Sequence, residues 1–139
     1  MEDIRSACGI LAQGNYTCVL CSGDTVYKST RRGVAPLLQL LDEGINVRGF
    51  SAADRVVGKA TAFLYCLLGV RRVHALVMSK PAMQVLQQYG ILATYDALVE
   101  GIMNRQKDGP CPMEAATLHA EDPQAALAAV RDALARLTK

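Results

Sequence analysis

The run Val73-His74-Ala75-Leu76-Val77-Met78 constrains the fold more than any other stretch of the chain. It is apolar at all but one position and shows no alternation, the pattern of a strand covered on both faces. Ser79 follows as a helix cap, Pro81 sits in a first turn, and Gly90 stands just past a helical segment that ends at Tyr89. Ile91-Leu92-Ala93-Thr94-Tyr95 then opens a second strand. Strand, helix and strand in this order make a crossover unit with parallel strands.

Upstream, Ser51 to Leu68 reads as one long helix. Ser51 offers an N-cap, and Asp54 gives an acidic variant of the capping box. Ala53, Val56, Val57, Ala60, Phe63, Leu64, Leu67 and Leu68 make a wide apolar face. Gly58 inside such a helix costs about 1 kcal/mol against alanine. It reads as a packing glycine or as a point where another backbone or a ligand comes close. His74 reads as a hydrogen-bonded strand residue, with no partner spacing for a metal.

The length of 139 residues and the 51% hydrophobic content fit one domain, 1–139, with a sizeable core. The net charge of +2 gives no basic face for nucleic acid. No apolar run nears the roughly 20 residues of a membrane span. The start Met1-Glu2-Asp3-Ile4-Arg5 lacks the order of a signal peptide. Cys8, Cys18, Cys21, Cys66 and Cys111 have no disulfide spacing, so a reducing cytoplasm is expected.

Ile4, Ala7, Cys8 and Leu11 predict a first helix closed by Gly14. Tyr16–Cys21 and Thr25–Lys28 predict a hairpin around Ser22-Gly23-Asp24. Cys18 and Cys21 then face opposite sides of a strand and do not converge on a metal. Ser29-Thr30-Arg31-Arg32-Gly33 is a solvated basic loop on the preferred reading and an anion contact on the other. Pro36 starts a helix through Leu41, and Gly44 ends it. Leu98, Val99, Ile102 and Met103 predict a helix over Asp96–Asn104. The stretch Asn104-Arg105-Gln106-Lys107-Asp108-Gly109-Pro110-Cys111-Pro112-Met113-Glu114 is a loop that leads into a helix from Pro112 to about His119. Cys111 falls near its N-cap, where a thiolate is favoured. Asp122-Pro123 starts a last amphipathic helix through Leu137.

Two fragments invite a zinc reading. A deaminase site uses His-x-Glu and, later, Pro-Cys-x-x-Cys. Here Pro110-Cys111-Pro112-Met113 precedes His119-Ala120-Glu121, the reverse order, and Glu114 stands where the second cysteine belongs. A metal shared by Cys111, Glu114 and His119 is therefore the weaker reading.

Ala53-Asp54-Arg55-Val56-Val57-Gly58-Lys59-Ala60, Tyr89-Gly90-Ile91, Asn104-Arg105 and Cys111-Pro112-Met113-Glu114 resemble a family of small prokaryotic proteins known only as a domain of unknown function within the cytidine-deaminase-like superfamily. The resemblance implies an α/β fold, a three-layer α-β-α sandwich with a mixed sheet of about four to five strands. It also implies zinc ligands at two helix starts. Here the first reads Ser51-Ala52-Ala53-Asp54, and the second reads Pro81-Ala82-Met83-Gln84-Val85, with Ala82 and Val85 in place of cysteines. Without thiolate or imidazole, zinc has nothing to hold it, so no metal and no cofactor are expected.

Three functions follow from these residues. The first is a metal-free module that binds a small nucleotide-like ligand. Asp54, Gly58, Lys59, Asn104, Arg105, Cys111 and Glu114 are its candidate ligand-binding residues, because such folds place ligands at helix starts beyond strand ends. The second is an enzyme with Cys111 as nucleophile, assisted by Asp54, Lys59 or Glu114. The third is a structural or interaction domain, for which an apolar homodimer face would speak. Neither nucleic acid nor a membrane is an expected partner.

Overall fold

The computed structural model describes residues 2–103, 106, 109 and 111–137. In chain order its elements are α1 (Glu2–Gln13), β1 (Cys18–Ser22), β2 (Thr25–Ser29), α2 (Ala35–Asp42), β3 (Ser51–Val57), α3 (Lys59–Leu68), β4 (Arg72–Ser79), α4 (Lys80–Gln88), β5 (Leu92–Val99), α5 (Pro112–Ala116) and α6 (Pro123–Leu137). The strands form one sheet in the order β2-β1-β3-β4-β5. β1 runs antiparallel to β2 and to β3, while β3, β4 and β5 are parallel. The fold is thus an α/β three-layer sandwich with a mixed sheet.

One face is covered by α1, whose Ala7 and Leu11 pack on Val19, Cys21 and Ala53. The other face carries the larger core. There Leu37 of α2, Phe63 and Leu64 of α3, Leu86 of α4 and Val130 of α6 close over Leu20, Ala52, Val73 and Ala75. Cys18 belongs to this second core and Cys21 to the first, as strand alternation requires. Each large aliphatic or aromatic side chain buried here stabilises the fold by roughly 1.5–3 kcal/mol. No helix among the described residues is long and apolar enough to cross a membrane.

The segment read as one helix from Ser51 to Leu68 is two elements. Ser51–Val57 is the central strand β3, and the helix begins only at Lys59. Ser51 and Asp54 therefore cap nothing. Ser51–Asp54 are all buried, so over them the alternation that marks a strand is missing and a helical period fits by chance. Ala52 and Ala53 have little β-propensity, but both are fully buried, and their small size lets layers close over the middle of the sheet. Gly58 is extended, with φ −99° and ψ −176°, and is the N-cap of α3 rather than an interior residue.

A second correction concerns Asp96 to Asn104. β5 continues through Val99, so Leu98 and Val99 belong to a strand. β5 is an edge strand with half-exposed residues, and four apolar positions there fit either period. Asn104 lies outside the described residues. The helix after Cys111 is also shorter than expected. It stops at Ala116, where the Thr117 hydroxyl donates to Met113 O at 2.8 Å.

The remaining elements follow the sequence signals. His74 hydrogen bonds Thr94 Oγ1 at 2.7 Å and Asp96 Oδ1 at 3.0 Å across the β4–β5 pair. Ser79, fully buried, accepts the Ala82 N–H at 3.2 Å and starts α4 where β4 ends. Ser79→Ala removes this cap and leaves a buried donor unmatched, so it is expected to cost about 1 kcal/mol. Urea unfolding should show a lower midpoint with an unchanged slope.

Candidate functional site

The chain turns from β3 into α3 at Gly58, and a large cleft opens beside that turn. It encloses about 570 Å³. Its floor is the end of β3, with Asp54 and Val56. One wall is the loop after β2, from Thr30 to Val34, and the other carries Ile102, Cys111, Met113 and Glu114. Parallel strands commonly deliver ligand sites at this end, where they hand over to helices.

Asp54 is the central polar group. It is only 8% exposed, yet it lines the cleft. Tyr65, fully buried on α3, donates its hydroxyl proton to Asp54 Oδ2 at 2.7 Å. The same hydroxyl oxygen lies 3.2 Å from Cys18 Sγ. Tyr65 has a single proton, so the Cys18 thiol is the donor in that second contact. The chain therefore runs from the Cys18 S–H through the Tyr65 O–H to the carboxylate. β1 pairs Cys18 directly with Asp54, which fixes the two ends.

Burial dominates the titration of this group. It pushes the Asp54 carboxyl from 3.8 up to about 7, against the opposing hydrogen bonds from Tyr65 and from the backbone of Val56 and Arg55. Burial likewise raises the Tyr65 hydroxyl and the Cys18 thiol well above their ordinary values, and the Asp54 charge adds to it. Asp54 is thus the member of the trio that changes charge near neutrality.

Glu114 occupies the start of α3. Its Oε1 accepts the Lys59 backbone N–H. Burial raises its carboxyl, while hydrogen bonds from the Lys59 and Ala60 backbone and the Lys59 charge hold it down. Gly58 makes this approach possible. A Cβ there would lie 2.1 Å from Glu114 Oε1 and 3.1 Å from Ile102 Cγ1. Cys111 lines the same wall; its N–H donates to Ile102 O at 2.9 Å, and its carbonyl accepts from Ala115 at 3.0 Å.

The profile of a domain of unknown function, DUF1893, matches residues 6–134. The chain belongs to the DUF1893 family. The crystal structure of a DUF1893 family protein (TM1506) from Thermotoga maritima is similar, with 27% identity and a TM-score of 0.87 over 94% of this chain and 89% of that one. The apo form of dCMP deaminase from the cyanophage S-TIM5 is 11% identical, with a TM-score of 0.47 over 68% of this chain and 94% of that one. Among curated proteins, none matches.

The DUF1893 chain places its sequence-selected residues unevenly. Asp54, Gly58, Cys111 and Glu114 all line the cleft. Lys59 does not: its Nζ donates to Leu118 O at 2.9 Å and lies 5.9 Å from the centre of the Phe63 ring. Asn104 and Arg105 lie outside the described residues. Tyr65 and Cys18 are additions that sequence spacing hid, because Asp54 and Tyr65 stand three turns apart on the expected helix and meet only when a strand turns back into a helix.

The residues at the two helix starts do not fit a zinc ion. α3 opens Lys59-Ala60-Thr61, and α4 carries Ala82 and Val85, so neither supplies a thiolate or imidazole. His119 is exposed and outside the cleft lining. Among the described residues no three His, Cys, Asp or Glu side chains gather as a metal set.

Two outcomes follow from this geometry. Below about pH 4 the Asp54 carboxyl is protonated in both the folded and the unfolded chain. As pH rises from about 4 to about 7 the unfolded chain ionises while the folded one keeps its proton, so stability falls; above about 7 the fall is complete. The loss is on the order of 4 kcal/mol. Asp54→Asn accepts the Tyr65 hydrogen bond without ionising. It is expected to gain stability over the native chain between pH 4 and pH 8, read by urea unfolding at both; parallel profiles would contradict the assignment. Gly58→Ala is expected to cost about 2 kcal/mol by forcing Glu114 off the helix start. In a Glu114→Ala background the cost should shrink, a coupling that a double-mutant cycle measures.

Proposed function

We propose that the cleft binds a small nucleotide-like ligand, free of zinc and without deaminating it. The observation that carries this reading is a buried carboxyl, Asp54, in the lining of a cleft of about 570 Å³. A buried ionisable group whose remaining acceptor capacity faces a cavity suits a ligand donor such as an exocyclic amine. The lining supplies the apolar complement through Val34, Pro36, Val56 and Met113. The likeness to the deaminase-like superfamily supports a nucleotide-like shape, and the absence of thiolate or imidazole at both helix starts argues against metal-activated water.

Cysteine catalysis has weaker support. Cys111 shares the cleft with Asp54, but the Glu114 carboxylate is engaged by α3 and the Lys59 ammonium by Leu118. Among the described residues that line the cleft, this leaves Asp54 as the carboxyl not held by α3.

The test uses the purified chain and a panel of free nucleobases and nucleosides. Thermal unfolding should rise for at least one member, and Asp54→Asn should remove that rise while Cys111→Ala keeps it. Incubation with the same panel should release no ammonia. No rise with any member would defeat the binding reading, and ammonia release would defeat its non-catalytic half.

A further inference from the structure

The cleft is chemically unequal at its two ends. Asp54 and Glu114 put carboxyl groups at the floor and at the α3 end. The opposite rim is the turn after β2, with Thr30, Arg32 and Gly33. Of the described arginines and lysines around the cleft, three are engaged. Arg55 donates through Nε to Tyr16 O at 2.7 Å and through Nη2 to Gly14 O at 3.2 Å. Arg31 Nη1 donates to Gln39 Oε1 at 3.2 Å. Lys59 is held by Leu118 O. Arg32 lines the cleft, is exposed, and has no side-chain partner among the described residues.

The turn that carries Arg32 is held in place by its neighbours. Thr17 Oγ1 reaches both Ser29 O and Arg31 O, and the Arg31 N–H donates to Ser29 Oγ at 3.0 Å. Ala35 N–H closes the turn on Arg32 O at 3.3 Å, with Gly33 between them at φ +62°. A left-handed residue there is a glycine requirement, and a side chain would strain the turn. α2 then starts on the same rim, and Val34 at its N-cap provides no side-chain cap. The rim thus combines a fixed turn, a hydroxyl from Thr30 and an unengaged guanidinium. A guanidinium is planar and matches the paired oxygens of phosphate or carboxylate.

We propose that the Thr30–Gly33 turn, with Arg32 as its charged group, is the oxyanion-binding end of the cleft, and that the ligand is a monoanionic or dianionic small molecule, a phosphate monoester in the first instance. This rests on the reading of the cleft as a ligand site and adds which class of molecule it takes. The ligand spans the cleft with its donor edge on Asp54 and its oxyanion on Arg32. The carboxyls at the other end set this orientation, because an anion placed there meets like charge. The apolar walls between the two ends carry the neutral body.

The experiment compares each nucleoside with its 5′-monophosphate by calorimetry on the full chain, at low and at moderate salt. The monophosphate should bind at least tenfold more tightly than its nucleoside at low salt, and the ratio should shrink as salt screens Arg32. Arg32→Gln, an exposed change, should bring the ratio close to one while leaving nucleoside affinity unchanged. Inorganic phosphate should compete with the monophosphate and not with the nucleoside. A second arm with 5′-carboxylate analogues distinguishes a phosphate site from a general oxyanion site: equal affinity of the two assigns the general class, and a phosphate preference assigns the narrower one. Nucleoside binding with no gain from the phosphate, or a gain that survives Arg32→Gln, would overturn the oxyanion end while leaving the cleft as a ligand site. Binding of neither nucleoside nor monophosphate would overturn both.

Discussion

The hydrogen bond from Tyr65 to Asp54 is the contact on which the rest of this structure depends. It joins the central strand to the helix that follows it, across a turn of one residue. Tyr65 is fully buried, so water does not replace the bond at its hydroxyl if it breaks, and an unmatched polar group in that position costs more than a surface contact is worth. Because Cys18 leans on the same hydroxyl, the bond also ties β1 into the junction. Helix, parallel strand and antiparallel strand meet at three side-chain atoms, and the cleft floor is the outer surface of that junction.

The opposite wall is set by a different kind of fit. Glu114 fills the positive end of α3, the place where an anionic ligand would otherwise be expected to settle. The chain thus supplies its own anion, and Gly58 is the residue that leaves room for it. This arrangement anchors the short helix α5 without a large apolar interface: Met113 is its one buried residue. It also moves the available positive potential of the cleft from α3 to the rim beyond β2.

Much of the fold was legible in the sequence because parallel strands and helix caps leave local marks. Val73–Met78, the Ser79 cap, the first hairpin and the last helix each carry a signal that needs no tertiary context. Ser51–Val57 does not. Alanines and an aspartate in a strand are chosen by what packs on both sides of it, and that is not visible in a single segment. Asp54, Gly58, Cys111 and Glu114 stood out through unusual residue types in apolar or loop contexts, and all reach one cleft. Tyr65 and Cys18 did not stand out, since a tyrosine in an apolar helix and a cysteine in a strand look like filling. Arg32 was visible as one of a basic pair, but only the partner of Arg31, Gln39, separates a structural arginine from one without a side-chain partner among the described residues.

The adjacent residues Asp54 and Arg55 serve opposite layers. Asp54 meets Tyr65 beneath the cleft, while Arg55 reaches the Leu11 carbonyl of α1 and the Gly14 carbonyl just past it on the other face. A pairing slip of one residue along β3 exchanges them. The guanidinium would then be pressed into a buried pocket built for an acceptor, and the carboxylate would confront a row of carbonyl oxygens. Ala52 and Ala53 are too alike in size to forbid such a slip by shape. The correct alignment of the central strand is therefore guarded by charge, so that the residue that defines the cleft floor also proofreads the assembly of the sheet.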